Sequence, residues 1–176
     1  WIPTISNGGG NWKPESDASI MGVGKGYIIR TPWGHTDGAT YTAKFTGPPN
    51  NGDVLTPISK GTNANMVPGT VDDEDDEWNL IGNPYPSGLN IAKLIDLPAN
   101  LNVIDGTVYI WTHNTLPSTA APDPFYGDYV RNYTAEDYAT VNKTGTTVTA
   151  GAASTGTRVP TAYIAAGQSF FIKSAN

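Results

Sequence analysis

WNLIGNPYPSGLN, residues Trp78–Asn90, is the stretch on which the fold turns. Its first five residues, Trp78 to Gly82, read as a largely apolar, strand-like start. Turn chemistry follows at once. Pro84 and Pro86 each confine the residue before them to extended backbone, which holds Asn83 and Tyr85. Gly82 and Gly88 open angles that other residues resist. The stretch therefore predicts a rigid, irregular strand-to-helix connection that presents Tyr85 as a pre-ordered ring. Either prolyl bond is open to the cis form on sequence grounds. We read the connection as a structural corner whose Tyr85 packs on the core, in preference to a binding edge.

A helix is expected just beyond it. Asn90–Leu97 places apolar residues at Ile91, Leu94 and Ile95, with Ser87 or Asn90 as the cap and Pro98 as the stop. Everywhere else the signals are those of short strands rich in Ile, Val, Thr, Tyr and Phe, bounded by Gly, Pro and Asn. They fall near Trp1–Ser6, Gly26–Thr31, Ala39–Gly47, Trp78–Gly82, Gly106–His113, Thr146–Thr149 and Ser169–Lys173. The run from Gly47 to Asp53 is a strong break, and Thr144–Thr157 reads as a loose hairpin or loop. The pattern predicts an all-β domain, a β-sandwich or jelly-roll-like pair of sheets with one short helix at about 90–97.

The chain also echoes itself. Met21–Thr31 resembles Ile164–Ser174, with Gly24 matching Gly167, Tyr27 matching Phe170 and Arg30 matching Lys173. Each copy is a glycine turn feeding a strand. Two copies are too few for a solenoid, so residues 1–176 are taken as a single β-rich domain, with the acidic run at 72–77 as its seam.

Composition narrows the function. The 176 residues hold no cysteine, which removes disulfides, thiolate metal sites and cysteine nucleophiles. A net charge of −6 disfavours nucleic-acid binding. Apolar runs fall well short of the roughly 20 residues that span a bilayer. The start at Trp1, without Met or a signal sequence, suggests a mature or excised fragment.

Four ordered motifs, "WNLIGNPYPSGLN", "IDGTVYIWTHN", "DYATVN" and "YIAAGQSFFIKSAN", together with "GKGYIIRTP" and "ATYTAKFTGPPNNGDV" upstream, carry a family resemblance. The chain resembles, over nearly its whole length, a recurrent module of large secreted proteins from Bacteroidota, especially flavobacteria. Such modules often precede the C-terminal signal read by the type IX secretion system. The resemblance implies an exported, β-rich part of a larger surface protein, located extracellularly or on the outer membrane, with flanking domains as neighbours. It supplies no catalytic set.

Candidate sites come from residue chemistry. Asp72, Asp73, Asp75 and Asp76, in a run with Glu74 and Glu77, are candidate ligands for Ca2+, which takes six to eight oxygens. The run lacks the alternating spacing of a helix–loop–helix calcium site, and the plainer reading is a solvated linker. Asp105, Asp123 and Asp128 are further oxygen donors. Trp33, Trp111, Tyr126, Tyr129, Arg131 and Tyr133 form a candidate carbohydrate-binding set, because flat rings stack on sugars while polar groups bind hydroxyls. The plainer reading places Trp1, Trp78 and Trp111 in the core. His35 and His113 lack a third histidine for zinc, and no Gly-x-Ser-x-Gly elbow is present. We therefore expect no enzyme. The favoured function is a non-catalytic structural or adhesion module. The alternative is a carbohydrate-binding module appended to a polysaccharide-degrading enzyme, with a glycoside hydrolase or other hydrolase the remaining class.

Overall fold

In the computed structural model, residues 13–29, 34–36, 39–61, 77–112, 137–148 and 160–175 are described. Seven strands and one helix occur among them: β1 (Trp78–Gly82), β2 (Leu89–Asn90), α1 (Ile91–Asp96), β3 (Ile104–Trp111), β4 (Tyr138–Asn142), β5 (Gly145–Val148), β6 (Tyr163–Ile164) and β7 (Ser169–Ser174). Five strands form one antiparallel sheet in the order β1-β7-β3-β4-β5, and β2 pairs with β6 in a second. The fold is all-β with one short helix among the described residues.

Alternation along the strands assigns the two faces of the large sheet. Directly paired residues share a face, so Ile81 with Phe170, Val108 with Ile172 and Val141, and Ile110 with Ala139 line one side. That side is the core. Ile91 and Ile95 from α1 and Ile164 from β6 close over Ile104, Val108, Ile110, Val141, Phe170 and Ile172. Burying each large aliphatic chain contributes about 1.5–3 kcal/mol. This is why α1 stays helical despite its six residues, a length that is marginal in isolation.

The helix boundaries follow the expected signals. The Asn90 Oδ1 accepts a hydrogen bond from Lys93 N at 2.9 Å, a side-chain N-cap. Asn100 Nδ2 donates to Leu94 O at 2.7 Å, a last-turn carbonyl that also accepts from Leu97 N at 3.4 Å. Near the start of β3, Gly106 sits at φ 84° where the register with β7 shifts, a bulge that a glycine permits.

Three expected strands read differently. Ala39–Gly47 alternates Tyr41, Ala43 and Phe45 with polar residues, yet forms no strand, and Tyr41 and Phe45 are exposed. Alternation alone does not make a strand, and no ladder partner lies alongside among the described residues. Of Gly26–Thr31, residues 26–29 run without strand pairing, and only the preceding Lys25 bridges to Ile81; Arg30 and Thr31 lie outside the described residues, as does Trp1–Ser6. β3 ends at Trp111, short of the expected His113, which also lies outside them. β2, β4 and β6 are strands beyond those expected.

The two echoed copies share a turn and differ in surroundings. Gly24 and Gly167 have φ 76° and 70°, and each turn closes with a hydrogen bond, Lys25 N to Gly22 O and Gln168 N to Ala165 O. Both copies run antiparallel to β1, one on each edge. Phe170, however, is buried in the core, whereas Tyr27 is half-buried and its hydroxyl accepts from Gly22 N.

Candidate functional site

The corner after β1 is built around Asn83, which is buried. Its Nδ2 donates to Ser87 O at 2.8 Å, to Ala165 O at 3.0 Å and to Ile164 O at 3.2 Å. Its Oδ1 accepts from Tyr85 N at 3.1 Å, and its main-chain N donates to Gln168 O at 2.9 Å. One amide thus ties the corner to the β6–β7 turn. Tyr85 does not pack on the core as expected. It is half-buried, outside the set packed on the core cluster, and its hydroxyl donates to Gly52 O at 2.8 Å, while Asn50 Nδ2 donates to Pro84 O at 2.8 Å. The corner anchors the Gly47–Asp53 turn through these two bonds, with the Tyr85 backbone held extended before Pro86.

Asn79, near the start of β1, acts in a similar way. It is buried, accepts from Ser59 N at 2.9 Å and donates to Ser59 O at 2.9 Å and Glu77 O at 2.9 Å. Its amide copies the donor–acceptor pair of a neighbouring strand. Beside it, Lys60 Nζ lies 2.6 Å from Glu77 Oε1, a hydrogen bond that holds the Glu77 carboxyl below its usual range.

The second face of the large sheet is aromatic. Tyr109 pairs with Phe171, Trp111 with Tyr138, and Trp78 with Lys173. Trp78 meets Tyr109 edge-on at 4.5 Å between ring centres and Phe171 at 5.9 Å, and Tyr138 meets Phe171 at 6.0 Å. Edge-to-face pairs of this kind each add about 0.5–1.5 kcal/mol beyond burial. Lys173 Nζ sits 4.8 Å from the centre of the Trp78 ring, a cation held over its face. Burial pushes the Tyr109 hydroxyl up to about 12, aided by the negative charge of Asp105; burial alone pushes Tyr138 up to about 12.

Trp111 is the one member of the sequence-derived carbohydrate set within the described residues. It is in a strand as expected, but half-buried on this aromatic face and not in the core cluster where its plainer reading placed it. Trp33, Tyr126, Tyr129, Arg131 and Tyr133 lie outside the described residues, as do Asp72, Asp73, Asp75 and Asp76, and Asp123 and Asp128. Asp105 is engaged locally: its Oδ1 accepts from Thr107 N at 2.9 Å and its Oδ2 from the Tyr109 hydroxyl at 3.3 Å. The His35 ring lies 3.0 Å from Ala39 O and edge-on to Tyr41. Among the described residues no three His, Asp or Glu side chains gather as a metal site, and no helix is long and apolar enough to cross a membrane.

Sequence reasoning did not single out Asn79 or Asn83. The signal was present in Gly-Asn-Pro: an asparagine held extended between a glycine and a proline is suited to bind backbone on both sides. No curated protein and no solved structure matches the chain. A family model described as Domain of unknown function (DUF8693) matches residues 1–176, and the chain belongs to that family.

Proposed function

We propose that the chain is a non-catalytic structural or adhesion module of a larger secreted or surface protein of the Bacteroidota type, exported by type IX secretion. The observation that carries this reading is where the polar side chains go. Asn79, Asn83, Asn90, Asn100, Tyr85 and Asp105 each bind main chain. Groups spent in this way make a shape rigid. The ordered motifs and the acidic, lysine-poor composition support the extracellular address.

A second reading has its own observation. Trp111, Tyr109 and Trp78 share one sheet face and none is fully buried. Such a face suits a carbohydrate-binding module attached to a polysaccharide-degrading enzyme. Against it, the Trp78 ring is already faced by Lys173.

The test is a polysaccharide and glycan binding screen on the whole chain, run with calcium and again with chelator. The structural module predicts no glycan affinity in either condition. Affinity that disappears in Trp111→Ala, with the fold retained, would overturn it in favour of the second reading. The same samples report on calcium at Asp72, Asp73, Asp75 and Asp76: a resident ion raises Tm and chelator reverses the rise.

A further inference from the structure

The first described segment meets the sheet in an unusual way. Gly24–Gly26 lies along the outer edge of β1, with Gly26 N donating to Leu80 O at 3.0 Å and Gly82 N donating to Gly24 O at 2.9 Å. Glycine is required for this approach. A Cβ on Gly26 would stand 2.5 Å from Leu80 Cγ and 2.9 Å from Ile81 O, and one on Gly82 would stand 2.8 Å from Lys25 O. Just beyond, the Ser169 hydroxyl accepts from Tyr27 N at 3.2 Å, hooking the segment to β7.

Direction matters here. The segment and β7 both run antiparallel to β1, so they run parallel to each other. Gly24 lies at the Gly82 end of β1, whereas β7 leaves at the Trp78 end, where Trp78 faces Lys173. A pull on Lys13 and Ala175 therefore draws the flanking segments in opposite directions along β1. Every ladder bond between them is loaded together. Were the segment detached, the pull would pass to the side-chain bonds that hold residues 50–59, Asn50 to Pro84 O, Tyr85 to Gly52 O and Asn79 to Ser59, and once these parted it would arrive at Trp78, the same end from which β7 leaves. The β1–β7 ladder would then open one bond at a time.

We propose that Gly24–Gly26 is a tension latch, which converts a pull on the chain from unzipping of β1–β7 into shear across β1. The proposal rests on the structural-module reading, in which the chain links parts of a larger surface protein. A latch of this kind keeps the central sheet closed under load without adding core.

The absence of cysteine from the sequence makes the experiment direct. The full chain is pulled between single-cysteine handles in two geometries by single-molecule force spectroscopy. One uses Lys13→Cys with Ala175→Cys and loads the latch. The other uses Lys44→Cys with Ala175→Cys and bypasses the latch while the contacts of Asn50, Gly52 and Ser59 stay in the loaded path. The expected result is a higher rupture force in the first geometry, and loss of that difference when Gly26→Val is added. Equal forces in the two geometries of the glycine-intact chain overturn the latch, as does a folded Gly26→Val chain that keeps the higher force. The comparison of geometries stands even where the valine variant fails to fold. Glycan affinity is read in a separate screen, so failure of the module reading and failure of the latch are told apart.

Discussion

At the scale of single residues, the corner depends on Asn83. Its amide serves three carbonyls and one N–H in a buried position. Removing it takes a partner from the Ile164 and Ser87 carbonyls and the Tyr85 N–H, while Ala165 O keeps Gln168 N; a buried group left unmatched costs about 1–3 kcal/mol. Asn83→Ala is expected to lower stability by about 3 kcal/mol, read as a fall in the urea midpoint with an unchanged slope. Tyr109 and Tyr138 supply a pH test. Both hydroxyls are raised to about 12 in the folded chain, above the ordinary value of 10. A raised folded-state pKa contributes stability that is complete below the unfolded pKa and is lost as pH rises through the folded one. Stability should thus hold level to pH 10 and fall between 10 and 12. Tyrosinate absorbance should show two late-titrating rings, absent from Tyr109→Phe/Tyr138→Phe. The importance of Tyr85 was legible from its two prolines. Its direction was not, because no local rule says which surface an extended ring meets.

At the scale of elements, β1 and α1 were legible almost to the residue. β1 is Trp78–Gly82 as expected, and α1 runs Ile91–Asp96 between the expected cap at Asn90 and Pro98. Their signals are local: a cap, a proline and a periodic apolar face. Asn90→Ala should cost about 1 kcal/mol through loss of the cap to Lys93 N. Ile95→Ala should cost about 2–5 kcal/mol, because Ile95 is buried against the sheet. Both are measured by denaturant unfolding, and the second should also release amide protection in α1. The two-residue strands β2 and β6 carried no readable period. They exist because Ile164 and Leu89 are brought opposite each other. Ala39–Gly47 fails in the opposite sense: its period is clear, and it has no ladder among the described residues.

At the scale of the whole molecule, the last strand in sequence sits inside the sheet. β7 is paired with β1 on one side and β3 on the other. Strands bonded on both sides open only with the global transition. Amide exchange should therefore be slowest in Phe171 and Ile172, and faster in β5, which is paired with β4 at the end of the strand order. Uniform exchange across the sheet would contradict this order of opening.

The sequence by itself determined the all-β class, the corner after β1, the single short helix and the glycine turns at Gly24 and Gly167. Each of these rests on backbone angles and short-range period, which neighbouring residues set among themselves. Only the tertiary structure decided which strands pair, that Asn83 binds the β6–β7 turn while Tyr85 binds Gly52, and that Gly24–Gly26 closes over the edge of β1. Those outcomes depend on contacts between residues far apart in the chain. There, a missing Cβ or one buried amide selects the partner, and no stretch read alone contains both sides of the contact.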